Sequence, residues 1–182
     1  MATLERGGKA LLVIDVQVGV VGEAHNREAV LTAINAAIDK ARAAGVPVVW
    51  VQHSDSELVL ESPEWELAPE MKPAAGEYKI RKTYRSSFVE TNLEDVLTEL
   101  GADHLVICGA ETNNCVRHTS HTALERGYDV TLIGDAHTTT GFEWNGYIID
   151  AARVIDEQNT NFMGYKLPGR MADIVSSADL SF

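Results

Sequence analysis

A chain of 182 residues with 45% apolar residues has enough apolar surface for one domain with a real core and too little length for two. Lys and Arg number 15 against 27 Asp and Glu, a formal charge of −12, which argues against nucleic acid or an anionic membrane surface as a partner, since both need a basic face. No apolar run reaches the length of a membrane span, and Met1 to Lys9 lacks the apolar core of a secretory signal, so the expected location is the cytoplasm.

In chain order, Ala10-Leu11-Leu12-Val13-Ile14 is a first apolar run. Asn26 is placed to cap a helix running to about Ala44, with Val30, Ile34, Ala37, Ile38 and Ala41 on one face and Gly45 as its stop. Val46-Pro47-Val48-Val49-Trp50-Val51 is the second run. Residues 54–76 then break the pattern: the segment is acidic and holds three of the five prolines. It is expected to be a surface excursion near the site, either a lid or an oligomer contact. Residues 78–83 make a further, less apolar strand. Thr91-Asn92-Leu93-Glu94 reads as a capping box, opening a helix with Leu93, Val96, Leu97 and Leu100 buried and Gly101 closing it. Leu105-Val106-Ile107-Cys108 is a third apolar run. A helix over about residues 114–126 follows, with Val116, Ala123 and Leu124 inward and Gly127 as its stop. Val130-Thr131-Leu132-Ile133 is the last run, and a helix is predicted over roughly residues 146–157.

Continuous apolar runs of this length suit strands buried on both faces. Strands alternating with helices predict one α/β domain over residues 1–182. The expected fold is a three-layer α/β/α sandwich with a mainly parallel, Rossmann-like sheet of about six strands and right-handed crossovers.

Ligands of an open parallel sheet bind beyond the carboxyl ends of its strands. Asp15 follows the first run and His53 the second; Gly109-Ala110-Glu111-Thr112 and then Cys115 follow the third; Asp135 and His137 follow the last. The chain has two cysteines, too few for a disulfide scaffold, and their C-x6-C spacing matches no common zinc pattern. Cys108 lies inside a strand and reads as core. Cys115 lies at a helix start, where the dipole and free N–H groups favour a thiolate and an oxyanion; the alternative is a small buried cysteine. Asp15 is either a strand-end cap or a base whose pKa is raised by burial. Lys82, among Lys79, Arg81 and Arg85, is either part of a solvated basic stretch or a lysine turned inward beside a carboxylate. His118 and His121, three apart, suit a metal pair, or His118 suits a pocket wall or a base for Cys115; His121 reads as structural. No G-x-G-x-x-G follows the first strand, which counts against a dinucleotide site.

Together these pieces resemble the isochorismatase-like, or cysteine hydrolase, superfamily, which includes nicotinamidases, N-carbamoylsarcosine amidases, ureidoacrylate hydrolases and isochorismatases. Leu11-Leu12-Val13-Ile14-Asp15-Val16-Gln17 is similar to its opening strand with a catalytic Asp. Lys82-Thr83-Tyr84-Arg85-Ser86-Ser87-Phe88 is similar to K-x-x-x-S-A-F, and residues 109–117 (GAETNNCVR) to G-V-x-T-x-x-C-V. Arg126-Gly127-Tyr128 and Gly134-Asp135-Ala136 also fit.

The resemblance implies a triad of Asp15, Lys82 and Cys115. Cys115 attacks a carbonyl, Asp15 moves the proton, and a thioester is hydrolysed. It also implies a cis peptide between Ala110 and Glu111, aiming the N–H groups of Glu111 and Cys115 into an oxyanion hole. Gln17, Tyr84, Phe88 and His118 join Ala110 and Glu111 as expected substrate-binding residues, with Trp65 and Trp144 as further pocket candidates. Gln52-His53-Ser54-Asp55-Ser56 departs from the D-x-H metal motif of nicotinamidases, so neither metal nor cofactor is expected. Glu111 either points away from the oxyanion hole or selects a cationic substrate. The leading expectation is hydrolysis of a C–N bond, amide or ureido, in a small molecule. The alternatives are vinyl-ether hydrolysis, which Cys115 disfavours, and a silent binding protein. A homo-oligomer, dimer or larger, is expected.

Overall fold

The computed structural model describes residues 7–182, and the reading of the first nine residues falls mostly outside them. The elements in order are β1 (Gly8–Ile14), α1 (Val18–Val21), α2 (Arg27–Ala43), β2 (Val48–His53), β3 (Tyr78–Lys82), α3 (Leu93–Glu99) and β4 (Ala102–Ala110). A π-helical turn (Thr112–Val116) leads into α4 (Arg117–Glu125). Then come β5 (Asp129–Thr138), a hairpin of β6 (Phe142–Trp144) and β7 (Tyr147–Ile149), α5 (Ala151–Met163) and β8 (Ala172–Val175).

Six strands form one sheet in the order β3-β2-β1-β4-β5-β8, and every pairing in it is parallel. The period-2 alternation of side chains explains why the central strands are apolar throughout. Leu11, Val13, Trp50, Val106 and Cys108 face α2 on one side. Leu12, Ile14, Val51, Ile107 and Leu132 face α3, α4 and α5 on the other. Each face is therefore covered, and the three-layer sandwich follows from the alternation. Cys108 is fully buried, as its place in a strand implies.

The sheet starts in its middle with β1, grows outward to β3, and then reverses to β4 on the other side of β1. The reversal opens a crevice at the carboxyl ends of β1 and β4, the topological switch point of such sheets. There Gly109, paired with Ile14, has φ +125°, and a Cβ on it would lie 2.0 Å from the Ile14 carbonyl oxygen. Only glycine permits this approach, which brings the segment after β4 against the segment after β1.

Several local expectations are corrected. Asn26 precedes α2 in a left-handed conformation, and its side chain makes no capping hydrogen bond. The Thr91 hydroxyl accepts the Leu93 N–H at 3.2 Å, as a cap does, but Glu94 does not close the box. It pairs instead with Arg126, 32 residues away. The helix predicted over residues 146–157 begins later, at Ala151, where the Asp150 carboxylate accepts the Ala152 and Arg153 N–H groups. The β6–β7 hairpin occupies the space before it and leaves Trp144, Tyr147 and Ile148 exposed. The sixth strand of the sheet, β8, was not located from the sequence. No helix among the described residues is long and apolar enough to cross a membrane.

Candidate active site

Asp15 is the first residue beyond β1, and its backbone sits at φ 49°, a left-handed conformation that aspartate tolerates better than most residues. This turn aims its side chain into the crevice rather than along the strand. The residue is 1% exposed, and its Oδ2 lies 2.7 Å from Lys82 Nζ. Asp15 Oδ1 takes no N–H or O–H donor among the described residues. Burial raises the Asp15 pKa, and the nearby Lys82 charge opposes that rise.

Lys82 ends β3, two strands away from β1, and its side chain is fully buried. Its Nζ also donates to Cys115 Sγ at 3.2 Å and to the Tyr84 carbonyl at 3.2 Å. The loop that follows is tied down by Ser87, whose N–H donates to Thr119 Oγ1 on α4 at 3.0 Å. The Ser87 carbonyl in turn accepts the Thr91 hydroxyl at 2.6 Å. Ser87 of the K-x-x-x-S-S-F stretch therefore anchors the loop after Lys82 to the helix that follows Cys115.

Cys115 lies in the π-helical turn, where the Val116 N–H reaches back five residues to the Glu111 carbonyl at 3.1 Å. Such turns recur at functional sites because they push one side chain out of helical register. The helix-start argument predicts a thiolate here. The structure points the other way: burial and the charge of Asp15 push the Cys115 thiol up to about 12. The resting sulfur thus keeps its proton, because desolvation outweighs the local helix field. The peptide between Ala110 and Glu111 is cis.

A second buried network holds this turn in place. His137 is 1% exposed, with Nδ1 2.9 Å from Thr112 Oγ1 and Nε2 2.8 Å from Asn159 Oδ1. The Asn159 amide nitrogen donates to the Gly134 carbonyl at 3.0 Å, so its oxygen is an acceptor. The proton of neutral His137 therefore sits on Nε2, and Nδ1 accepts from the Thr112 hydroxyl. Burial lowers the His137 pKa, which favours the neutral ring. His137 is thus a strut between α5 and the π-helical turn, set within β5 rather than beyond it. Asp135 is exposed and holds the Ser177 N–H and hydroxyl, away from the crevice.

Asp15, Cys115, Glu111 and His53 line one cavity of about 790 Å³, together with α1 and part of the 54–76 segment. Other residues proposed from the sequence are placed elsewhere. Gln17 is fully buried: its amide donates to the His53 and Trp65 carbonyls at 3.0 and 2.7 Å, and its oxygen accepts the His53 N–H at 2.8 Å. It is a clamp between β2 and the 54–76 segment, with no group left for a substrate. Phe88 is buried against Tyr128 and under Arg126. Tyr84 is 47% exposed and reaches the site only through its carbonyl. The His118 ring bonds the Asn114 carbonyl at 2.8 Å on the exposed side of α4. Ala110 is fully buried in β4. None of these five lines the cavity, and neither do Trp65 and Trp144. Asn114, Thr140, Val18 and Glu64 do line it, and the sequence reading passed over them; only the fold brings them near Cys115. Among the described residues, no group of three or more His, Cys, Asp or Glu side chains is placed to hold a metal ion.

The buried contact of Asp15, Lys82 and Cys115 thus lies at the switch point of a parallel α/β sandwich. The Isochorismatase domain model matches residues 9–164, and the chain belongs to the isochorismatase family of hydrolases. It is 37% identical over 137 residues to a streptothricin hydrolase of Streptomyces noursei, covering 72% of this chain and 54% of that one. The chain thus spans about half the length of that relative. To N-carbamoylsarcosine amidase of an Arthrobacter species it is 34% identical over 107 residues, 56% of this chain and 40% of the relative. An isochorismatase from Pseudomonas putida KT2440 superimposes with a TM-score of 0.85 at 26% identity, covering 98% of this chain and 92% of that structure.

Proposed function

We propose that the protein hydrolyses a C–N bond, amide or ureido, of a small molecule through a thioester on Cys115. The observation that carries this reading is the buried contact of Asp15, Lys82 and Cys115, with a protonated thiol facing a carboxylate whose pKa burial has raised. A thiol that holds its proton needs a base at the moment of attack, and Asp15 Oδ1 is free of other donors. Asp15 takes the proton as Cys115 Sγ bonds to the carbonyl carbon and the carbonyl oxygen becomes an oxyanion. The N–H groups of Glu111 and Cys115 are the proposed donors to that oxyanion. The C–N bond then breaks, and the nitrogen leaves with the proton that Asp15 held. A water gives a proton to Asp15 and its hydroxide to the thioester. The acid departs, and the proton returns to sulfur.

Lys82 opposes the rise that burial imposes on the Asp15 pKa, because the ion pair offsets part of the desolvation. The relatives named hydrolase and amidase support the bond type.

A screen of small amides and ureido acids, scored for ammonia release, tests the reading. Activity is expected in the wild type and absent in Cys115→Ala, with the thermal midpoint of the variant little changed. Undiminished turnover in Cys115→Ala removes the nucleophile assignment.

A further inference from the structure

The cavity wall carries one sign of charge. Glu23 at the end of α1, Asp55, Glu57 and Glu64 from the 54–76 segment, and Glu111 beside the nucleophile all line it. Arg85 is the lone Lys or Arg among the lining residues, and it is exposed at the rim. Asp15 on the floor is already paired with Lys82, so that pair adds no net charge.

Two of the carboxylates are held in place by hydrogen bonds. Asp55 accepts the Glu57 and Leu58 N–H groups at 2.8 Å each and sits 3.0 Å from His53 Nε2. The backbone bond to Leu58 N–H leads in lowering its pKa to about 2. Glu111 accepts Asn114 Nδ2 at 2.7 Å, which fixes its carboxylate on the wall close to Cys115. Glu23, Glu57 and Glu64 form no ion pair among the described residues. The remaining wall is not a general anion-repelling surface but a shaped one. Val18, Gly19, Val20 and Leu58 supply an apolar side, and a Cβ on Gly19 would sit 2.9 Å from Leu58 Cδ1. α1 and the 54–76 segment therefore meet in close packing, and the Gly19 N–H donates to the Glu64 carbonyl at 2.8 Å.

We infer that this cavity selects cations: the substrate is a small amide or ureide that carries a protonated amine beyond an apolar spacer, its carbonyl at Cys115 and its ammonium among Asp55, Glu57 and Glu64. The substrate class rests on the proposed hydrolase reading; the charge selectivity does not. A substrate bearing a carboxylate would meet five carboxylates with one exposed guanidinium to offset them. An ammonium gains from each of them, because a cleft with low-dielectric walls focuses the field of its lining charges.

Two measurements test this separately. The first is the rate of Cys115 modification by a trimethylammonioethyl methanethiosulfonate and by its sulfonatoethyl counterpart, each divided by the reagent's rate with free 2-mercaptoethanol. Cys115→Ala supplies the background. The cationic reagent is expected to be favoured by about tenfold or more, the lower end of what one-signed clefts produce. The preference should shrink in 1 M salt and in the Glu57→Gln/Glu64→Gln double variant, both of whose sites are exposed and outside the core. A ratio of one or below in the wild type overturns the inference.

The second compares five-carbon primary amides ending in ammonium, methyl or carboxylate, scored for Cys115-dependent ammonia release. The ammonium amide is expected to have a kcat/KM about tenfold above the methyl amide, with the carboxylate amide last. If the methyl or carboxylate amide is cleaved best, the hydrolase reading stands and the inference falls. If the reagent preference holds while no amide is cleaved, the charge selectivity stands and the amide-hydrolase reading falls.

Discussion

Replacing Lys82 with methionine keeps much of the volume of the side chain and removes the charge together with the N–H donors to Cys115 and the Tyr84 carbonyl. In the native site that charge lies 2.7 Å from a carboxylate, with the two side chains 0% and 1% exposed. Removing one partner of such a pair leaves the other charge buried and uncompensated, at a cost of about 3–5 kcal/mol. With a urea m-value of about 2–3 kcal/mol/M, the unfolding midpoint should fall by about 1–2 M at pH 7. Lys82→Met/Asp15→Asn should recover part of the loss, giving a coupling of about 2 kcal/mol in a double-mutant cycle. The pH dependence carries the sign. Without Lys82, which lowers the Asp15 pKa, the folded value climbs further above the unfolded value of about 3.9. Between those two values the folded state binds a proton that the unfolded state does not, so stability falls as pH rises across that window. The deficit against wild type should therefore be large at pH 8 and small near pH 4. A midpoint within 0.3 M of wild type (roughly 1 kcal/mol at such m-values), or a deficit that grows on acidification, would refute the buried-pair argument.

Three further outcomes follow from other parts of the site. The rate of Cys115 alkylation by iodoacetamide should keep rising with pH toward about 12, and a plateau near neutrality would restore the thiolate that the helix start suggests. Gly109→Ala forces a Cβ to 2.0 Å from the Ile14 carbonyl at a φ of +125°. It should destabilise the protein by about 4 kcal/mol or more, in the range of severe backbone and packing defects; a loss below about 1 kcal/mol in chemical unfolding would show that the β1–β4 approach is not required. His137→Phe keeps the ring and orphans Thr112 Oγ1 and Asn159 Oδ1, which should cost about 1–3 kcal/mol. As the residue acts through the π-helical turn, kcat should fall more than KM rises; wild-type kinetics in a destabilised variant would make His137 structural only.

The fold was legible where the signal was local. Apolar runs such as Leu11 to Ile14 and Leu105 to Cys108 predicted doubly buried strands, and Gly127 marked the end of α4. Strand ends then put Asp15 and Cys115 on one edge. What the sequence hid was set by distant partners. Gln17 ends a motif beside Asp15, but its amide is consumed by backbone groups of His53 and Trp65. Glu94 has the spacing of a capping box and finds Arg126 instead. Asn145-Gly146 is a strong hairpin signal, yet the three-residue strands beside it bury nothing, so the burial pattern used to find strands was silent there. The Cys115 proton shows the same thing in energetic form. A helix start is local and visible, whereas the desolvation and the Asp15 charge that outweigh it exist only after the chain has folded.

That retained proton also bears on redox chemistry. Peroxides and disulfides react with thiolates, not thiols. On the proposed mechanism Cys115 gives up its proton only to Asp15 as an acyl carbon arrives, so its resting thiol is protected from them. Sulfenic acid should therefore form slowly at Cys115, and covalent inhibitors of this site should succeed as acylating agents shaped like the substrate rather than as general thiol poisons.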